Sequence, residues 1–270
     1  MERNKIKFYL KIIKNSFSTQ FIYKAQVYSN IIYSLLLYFI QIYIWKSVIN
    51  VNNEIKGINI NYMQLYALIS SCIAVFVSYD TNYIPAIGKK VLTGEIGLDL
   101  LKPYNIRIYF FCDYLGKCLF KILFNMLPLL LLVLLIFKFN ISITSLNIIF
   151  FIFSLLFACI IYFLLCMCAG MLSFWVISIG NLHILVDSMI TLFSGSIIPL
   201  MFVPENIKFI YDVLPFKYLF YYPITICIGL TKDTNIIKVY IMQIVWIAIF
   251  YFLSEFIYKK GIKKIEIYGG

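Results

Sequence analysis

The 270-residue chain is 63% hydrophobic and only 13% charged, with a mean hydropathy of +0.92, values that exclude an ordinary water-soluble domain. At about 20 residues per bilayer crossing plus short loops, this length fits one all-α bundle of about six helices with no separate soluble domain. The formal charge of +11 is gathered in a few segments, so it reads as membrane topology and argues against nucleic acid as a partner.

Residues 1–22 place Ile6, Tyr9, Leu10, Ile13 and Phe17 near one helical face with lysines elsewhere, the pattern of an amphipathic helix lying in the membrane interface. No apolar core followed by a small-residue cleavage site occurs there, so no signal peptide is expected. Arg3, Lys5, Lys7, Lys11, Lys14 and Lys24 predict an inner N-terminus and a first span, residues 25–45, that runs outward. On that span Gln26, Asn30, Ser34 and Gln41 fall within an arc of about 80°, with Tyr33 just beside it. Polar side chains avoid lipid, so these five either pack against other helices or line a water-accessible pathway.

The second span, residues 57–79, returns to the inside after a short external turn, VNNEIKGINI. Its Gln64, Ala67, Ser71, Ala74 and Ser78 recur at three- and four-residue steps, a small-residue stripe that permits close helix approach. Residues 80–107 then form a cytoplasmic loop. A third span is expected from near Ile108 to before Lys138, with Asp113, Lys117 and Lys121 stacked on one face of its inner half. Residues 139–186 carry no formal charge, but a single helix of that length would be about 70 Å long, so a hairpin is required. Ser, Gly and Asn within residues 173–183 mark the break.

The fifth span is expected to run to about Val203. Asp187 near its start is either a hydrated interfacial acid or a functional one. Residues 204–238 are too polar for an ordinary pair of spans, yet 218–231 are uncharged and broken by Pro223, which points to re-entrant or interfacial helices on the outer side. The final span covers residues 239–254 within a bundle at 25–257, and a basic tail at 258–270 carries Lys259, Lys260, Lys263 and Lys264. Both termini are then inside, as are about 16 of the 23 Lys and Arg residues.

The seven cysteines lie mostly in apolar runs, and Cys166 and Cys168 diverge by about 200° on a helix, so no shared metal ligation is expected. His183 is the only histidine, which leaves no histidine metal site and no catalytic triad. No phosphate-binding or hydrolase motif is present. Active transport by this chain would therefore draw its energy from another polypeptide.

Two segments in this order resemble the ABC-2 permease family, the membrane subunits of type-2 ATP-binding-cassette exporters. GEIGLDLLKP, residues 94–103, is similar to the family's cytoplasmic coupling segment. SGSIIPLMFVPENIKFIYDVLPFKYLFYYPITICIG, residues 194–229, is similar to its outer Pro-containing region. The resemblance implies six spans, a cytoplasmic coupling helix between spans 2 and 3, and external helices between spans 5 and 6. It implies two cassette ATPase subunits carrying ATP and magnesium, a second permease, identical or homologous, and a multi-pass place in a bacterial plasma membrane.

Under that resemblance Gly94, Glu95, Asp99, Leu100, Leu101, Lys102 and Pro103 form the ATPase-coupling loop. Glu95 and Asp99 would be polar docking contacts, Leu100 and Leu101 an apolar key, and Pro103 the terminator of a short helix; Lys102 could equally meet lipid phosphates. Ser194, Gly195, Pro199, Pro204, Pro215, Phe216 and Pro223 form an external gate. The polar stripe, the aromatic content of 19% and the absence of buried bases favour an amphipathic or hydrophobic cargo, such as a drug, peptide or lipid. The competing readings are an ATPase-independent channel, receptor or immunity-type membrane protein, and a membrane-embedded enzyme; the latter needs acids or nucleophiles clustered at one depth.

Overall fold

The computed structural model describes residues 2–52, 60–77, 83–137, 143–176, 181–231 and 233–264. These are helical throughout: α1 (Glu2–Thr19), α2 (Lys24–Asn52), α3 (Ile60–Val77), α4 (Tyr83–Leu92), α5 (Glu95–Leu100), α6 (Ile106–Lys121), α7 (Leu127–Ile136), α8 (Ser145–Met171), α9 (Leu182–Phe193), α10 (Glu205–Val213), α11 (Tyr221–Cys227) and α12 (Asp233–Ile262). Among the described residues four helices are long and apolar enough to cross a membrane: Lys24–Ile49, Ile106–Ile136, Ser145–Phe174 and Asn235–Ile262. Two shorter apolar helices, Ile60–Val75 and Leu182–Phe193, occupy the places expected of the second and fifth spans.

Several boundaries differ from those read in the sequence. The first helix continues through residue 52 because Lys46, a single exposed charge, is no helix breaker and no Gly or Pro precedes residue 57. The final helix likewise runs on from the expected 254 to Ile262 and carries Lys259 and Lys260 in its last turn, where they favour the helix C-terminus. The fifth helix stops at Phe193, ten residues before the expected end. The chain leaves the helix at Gly195, whose φ is +81°. At 12 residues α9 is about 18 Å long, short of the roughly 30 Å hydrocarbon core. The break between the fourth and fifth apolar helices falls between Phe174 and Leu182, although residues 177–180 lie outside the described residues, as does most of the external turn at 51–60.

The third span is one continuous helix, α6 through α7, with a π-helical turn at Ile122–Met126. Pro128 explains that turn. Its ring has no N–H to offer and would collide with the carbonyl four residues earlier, so the ladder widens just before it.

Helix α8 is the centre of the molecule and packs against α12, α4 and α11. Ala158, Ile161 and Tyr162 on α8 are fully buried. A buried amide closes this core: Gln243 Nε2 on α12 donates to the Ser154 carbonyl (3.0 Å) and to the Tyr218 carbonyl (3.1 Å). In a separate cluster, the small Ala67 and Ser71 of α3 are buried, and Ala67, Leu68, Cys72 and Val75 of that helix pack with Tyr38 and Ile42 of α2; Ser78 of the expected stripe lies outside the described residues.

The amphipathic α1 lies along α6. Gly116 permits the approach, because a Cβ there would sit 2.8 Å from Ser16 Cβ and collide with the backbone of α1. Phe17 joins an aromatic cluster with Phe21, Phe120 and Phe124, while Ile6 and Leu10 stay exposed. Asp113 locks the arrangement by accepting from Ser16 Oγ of α1 (2.5 Å), Tyr83 Oη of α4 (2.7 Å) and Lys117 Nζ (2.8 Å).

Candidate functional site

The loop between α3 and α6 contains two helices in series. In α4, Tyr83, Ile84, Ile87 and Gly88 are buried against α8. Gly94 then takes a left-handed φ of +75°, a conformation that a side chain disfavours, and starts α5. Glu95 occupies the first turn of α5, where a carboxylate complements the helix dipole. Ile96 is buried and roots α5 in the core.

Asp99 is 5% exposed. Its carboxylate accepts from Lys90 Nζ of α4 (2.5 Å) and from Lys102 Nζ (2.6 Å). Burial opposes its ionisation, but the hydrogen bonds and charges of Lys102 and Lys90 outweigh that and hold its pKa below the ordinary value. The same hydrogen bond to Asp99 raises the pKa of Lys102. The loop's acid therefore faces inward as a brace between α4 and the end of α5. Its leucines face outward: Leu98 is 65% and Leu101 84% exposed, with Leu100 at 37%. Glu95 and Pro103 are also exposed, and α5 ends at Leu100, ahead of Pro103.

Beyond Pro103 the chain is tied to both ends of the sequence. Tyr104 stacks on Tyr109 at 5.3 Å and packs on Phe8 of α1 at 5.5 Å. Asn105 caps α6 by accepting from the Arg107 N–H (2.9 Å). Arg107 forms an ion pair with Glu255 of α12 and lies over the rings of Tyr251 and Tyr258.

A second constellation surrounds residues 194–196, where the chain turns after α9. Three carbonyls there are met by donors from other helices, two of them by side chains and one by a backbone N–H. Tyr66 Oη of α3 donates to the Gly195 carbonyl (2.5 Å). Ser70 Oγ (2.6 Å) and Gln41 Nε2 of α2 (3.3 Å) donate to that of Ser196. The Tyr221 N–H of α11 donates to the Ser194 carbonyl (3.1 Å). Ser194 itself is fully buried and its Oγ accepts from the Ser196 N–H (3.2 Å).

The segment expected on the outer side follows. Pro199 precedes a short helical turn at Leu200–Phe202, and Pro204 immediately precedes α10. Pro215 opens the turn Pro215–Tyr218, and its neighbour Phe216 is buried and stacked on Phe193 at 6.2 Å. Pro223 does not break an apolar stretch as the sequence implies. It lies in the first turn of α11, where a missing N–H costs nothing.

The polar stripe of α2 borders two cavities at successive positions. Gln26 and Asn30 line one of about 460 Å³ together with Asp113, Lys117, Lys121 and Asn125. Tyr33 and Gln41 line another of about 380 Å³ with Ser70, Ser71, Asp187, Thr191 and Ser196. Ser34 is buried and donates to the Asn30 carbonyl (2.8 Å), so it packs rather than lines.

Sequence reasoning missed Ser70 and Ser196, whose role exists only once α3 meets the turn. It also missed a third cavity of about 800 Å³ on the outer segment, lined in part by Tyr211, Tyr218, Tyr221 and Tyr222. There the buried Lys217 donates to Asp212 (2.6 Å) and lies over the rings of Tyr218 and Tyr222. Lys217, like Lys121, is buried, which corrects the expectation of no buried bases; a lysine beside an aromatic run carries no periodic signal.

Among the described residues no group of three or more His, Cys, Asp or Glu side chains could hold a metal ion. A family model described as "ABC-2 family transporter protein" matches residues 35–269 of the chain. No curated protein matches it.

Two outcomes are expected from this geometry. Because the pKa of Asp99 is lowered in the fold, its brace contributes fully above the ordinary carboxylate value of about 3.9 and is lost as the pH falls through the lowered value. Hydrogen-exchange protection of the α5 amides should therefore stay constant from about pH 8 to about pH 5 and be lost only at pH below the ordinary carboxylate value of about 3.9, while Asp99→Asn should lack this acid transition. Tyr66→Phe leaves the Gly195 carbonyl buried without its donor and should cost about 1–3 kcal/mol, read as a lowered thermal midpoint in detergent.

Proposed function

Since the matched region, residues 35–269, spans most of its length, this chain belongs to the ABC-2 family of membrane transporter proteins, and we propose that it is the permease subunit of an ATP-driven exporter. It has no catalytic motif of its own, so ATP with magnesium is hydrolysed in two copies of a partner cassette ATPase. A second permease, identical or homologous, completes the membrane part in a bacterial plasma membrane.

In this reading six crossings are made by α2, α3, the α6 to α7 helix, α8, α9 with the turn that follows it, and α12, leaving both termini cytoplasmic. The supporting observation is the division of labour on α5. An inward Asp99 brace makes the loop stiff, and outward Leu98 and Leu101 offer an apolar key with the carboxylate of Glu95 beside it. An exposed leucine pair on a rigid two-helix lever fits a groove in a partner better than it fits water.

Movement of such a lever has two routes into the bundle. Helix α4 packs on α8, and Arg107 is joined to Glu255 of α12. Closure of the ATPase dimer draws the levers of two permeases together, and the bundle exchanges inward-open and outward-open states because each state makes different contacts with the ATPases. Cargo that is amphipathic or hydrophobic moves past the polar stripe of α2, and α10 and α11 cover its outer exit as a gate held by Pro199, Pro204, Pro215 and Pro223.

Co-purification from native membranes with mass-spectrometric identification of partners tests this reading. A cassette ATPase should be retained by wild type and lost from Leu98→Ala, Leu101→Ala, while the thermal midpoint of the chain stays unchanged, because exposed side chains contribute less than about 0.5 kcal/mol to stability. Absence of any ATPase under mild solubilisation, with the variant behaving as wild type, would overturn it in favour of an ATPase-independent membrane protein.

A further inference from the structure

Helices α6, α8 and α12 belong to three of the four segments long and apolar enough to cross a membrane, and together they border a cavity of about 310 Å³. Its walls are largely apolar, with Ile108 and Phe111 from α6, Ile160 and Met167 from α8, and Ile247 from α12. Polar groups gather at one end, where α6 begins: Asn105, Arg107 and, from α12, Ser254. From Ser254 back to Ile247 the lining follows α12 for about 10 Å. Ile108 and Tyr251, one on α6 and one on α12, are exposed, so the cavity opens between these two helices, toward lipid.

A guanidinium presents five N–H donors. Glu255 accepts from Nη2 of Arg107, but the Nε–H of Arg107 is buried and has no acceptor among the described residues. A buried donor left in this way is costly, and it marks a place where an acceptor belongs. Glu255 also accepts from Lys259 (3.1 Å), so one carboxylate serves two cations and a positive charge is left over at the polar end of the cavity.

We propose that this cavity holds an acyl chain of an anionic glycerophospholipid from the surrounding membrane, with the lipid phosphate accepting from the Arg107 guanidinium at the start of α6. The apolar walls fit a hydrocarbon chain. A headgroup with net negative charge is favoured over a choline headgroup, whose ammonium meets the surplus positive charge of Arg107 and Lys259. The lipid then sits beside the contact of Arg107 with Glu255 that ties the start of α6 to α12. Such a site needs no ATPase partner, so it stands or falls apart from the permease reading.

Titration of the full-length chain in mild detergent with dioleoylphosphatidylglycerol or dioleoylphosphatidylcholine, with bound lipid counted by native mass spectrometry, gives the test. Wild type should hold one phosphatidylglycerol at least about tenfold more tightly than phosphatidylcholine, and Arg107→Gln should lower that affinity at least about tenfold. Ile160→Trp, which fills the apolar part and leaves the Arg107 to Glu255 pair in place, should lower it as well. Lys263→Gln, Lys264→Gln, in a tail that lines no part of the cavity, should change it by less than about twofold. Equal affinity of wild type for the two lipids would overturn the proposal without any variant. So would wild-type affinity in either Arg107→Gln or Ile160→Trp at a matched thermal midpoint, or an equal loss on neutralising the tail lysines, which would put the lipid on a diffuse basic surface.

Discussion

A backbone carbonyl surrounded by apolar helices must find a donor, and much of this molecule's architecture follows from meeting that demand at residues 194–196. Helix α9 ends too early to cross a bilayer alone, so the chain turns at Gly195 where water is scarce. The donors come from elsewhere: Gln41 from α2, Tyr66 and Ser70 from α3, and the N–H of Tyr221 from α11. Gathering them brings three helices to one point. The space left beside the turn is the cavity that contains Asp187, Tyr33 and Thr191. Gln41 and Ser70 belong both to the support of the turn and to the lining of that cavity.

The loop between α3 and α6 solves a different problem. Asp99, held by Lys90 and Lys102, ties α5 to α4, while Leu98, Leu100 and Leu101 are exposed. Its continuation reaches α1 through Tyr104 and α12 through Arg107. In the proposed reading these contacts carry displacement of the loop to both ends of the chain.

The sequence made the all-helical membrane class legible through composition, and the helix α1 through its apolar spacing. The polar stripe of α2 was legible because 3.6-residue periodicity is local, and four of its five members do border cavities. The inward turn of Asp99 was not, since an acid in a polar loop looks solvated until Lys90 is folded back onto it. Partners from distant helices, such as Gln243 with Ser154, leave no trace in local pattern. The early end of α9 escaped notice for a related reason: Ser194 and Gly195 stand within an uncharged run from 188 to 204, and only their carbonyl partners stabilise a turn there.

The central claim is that α5 is the docking element for a nucleotide-hydrolysing partner. Photo-crosslinking in native membranes from a photoreactive residue placed at position 101, with the lipid-accessible position 132 as control, tests it most directly. The account predicts a crosslink to a cassette ATPase from position 101 and none from 132. A crosslink from position 101 only to lipid, or to the same partners as from 132, would contradict it.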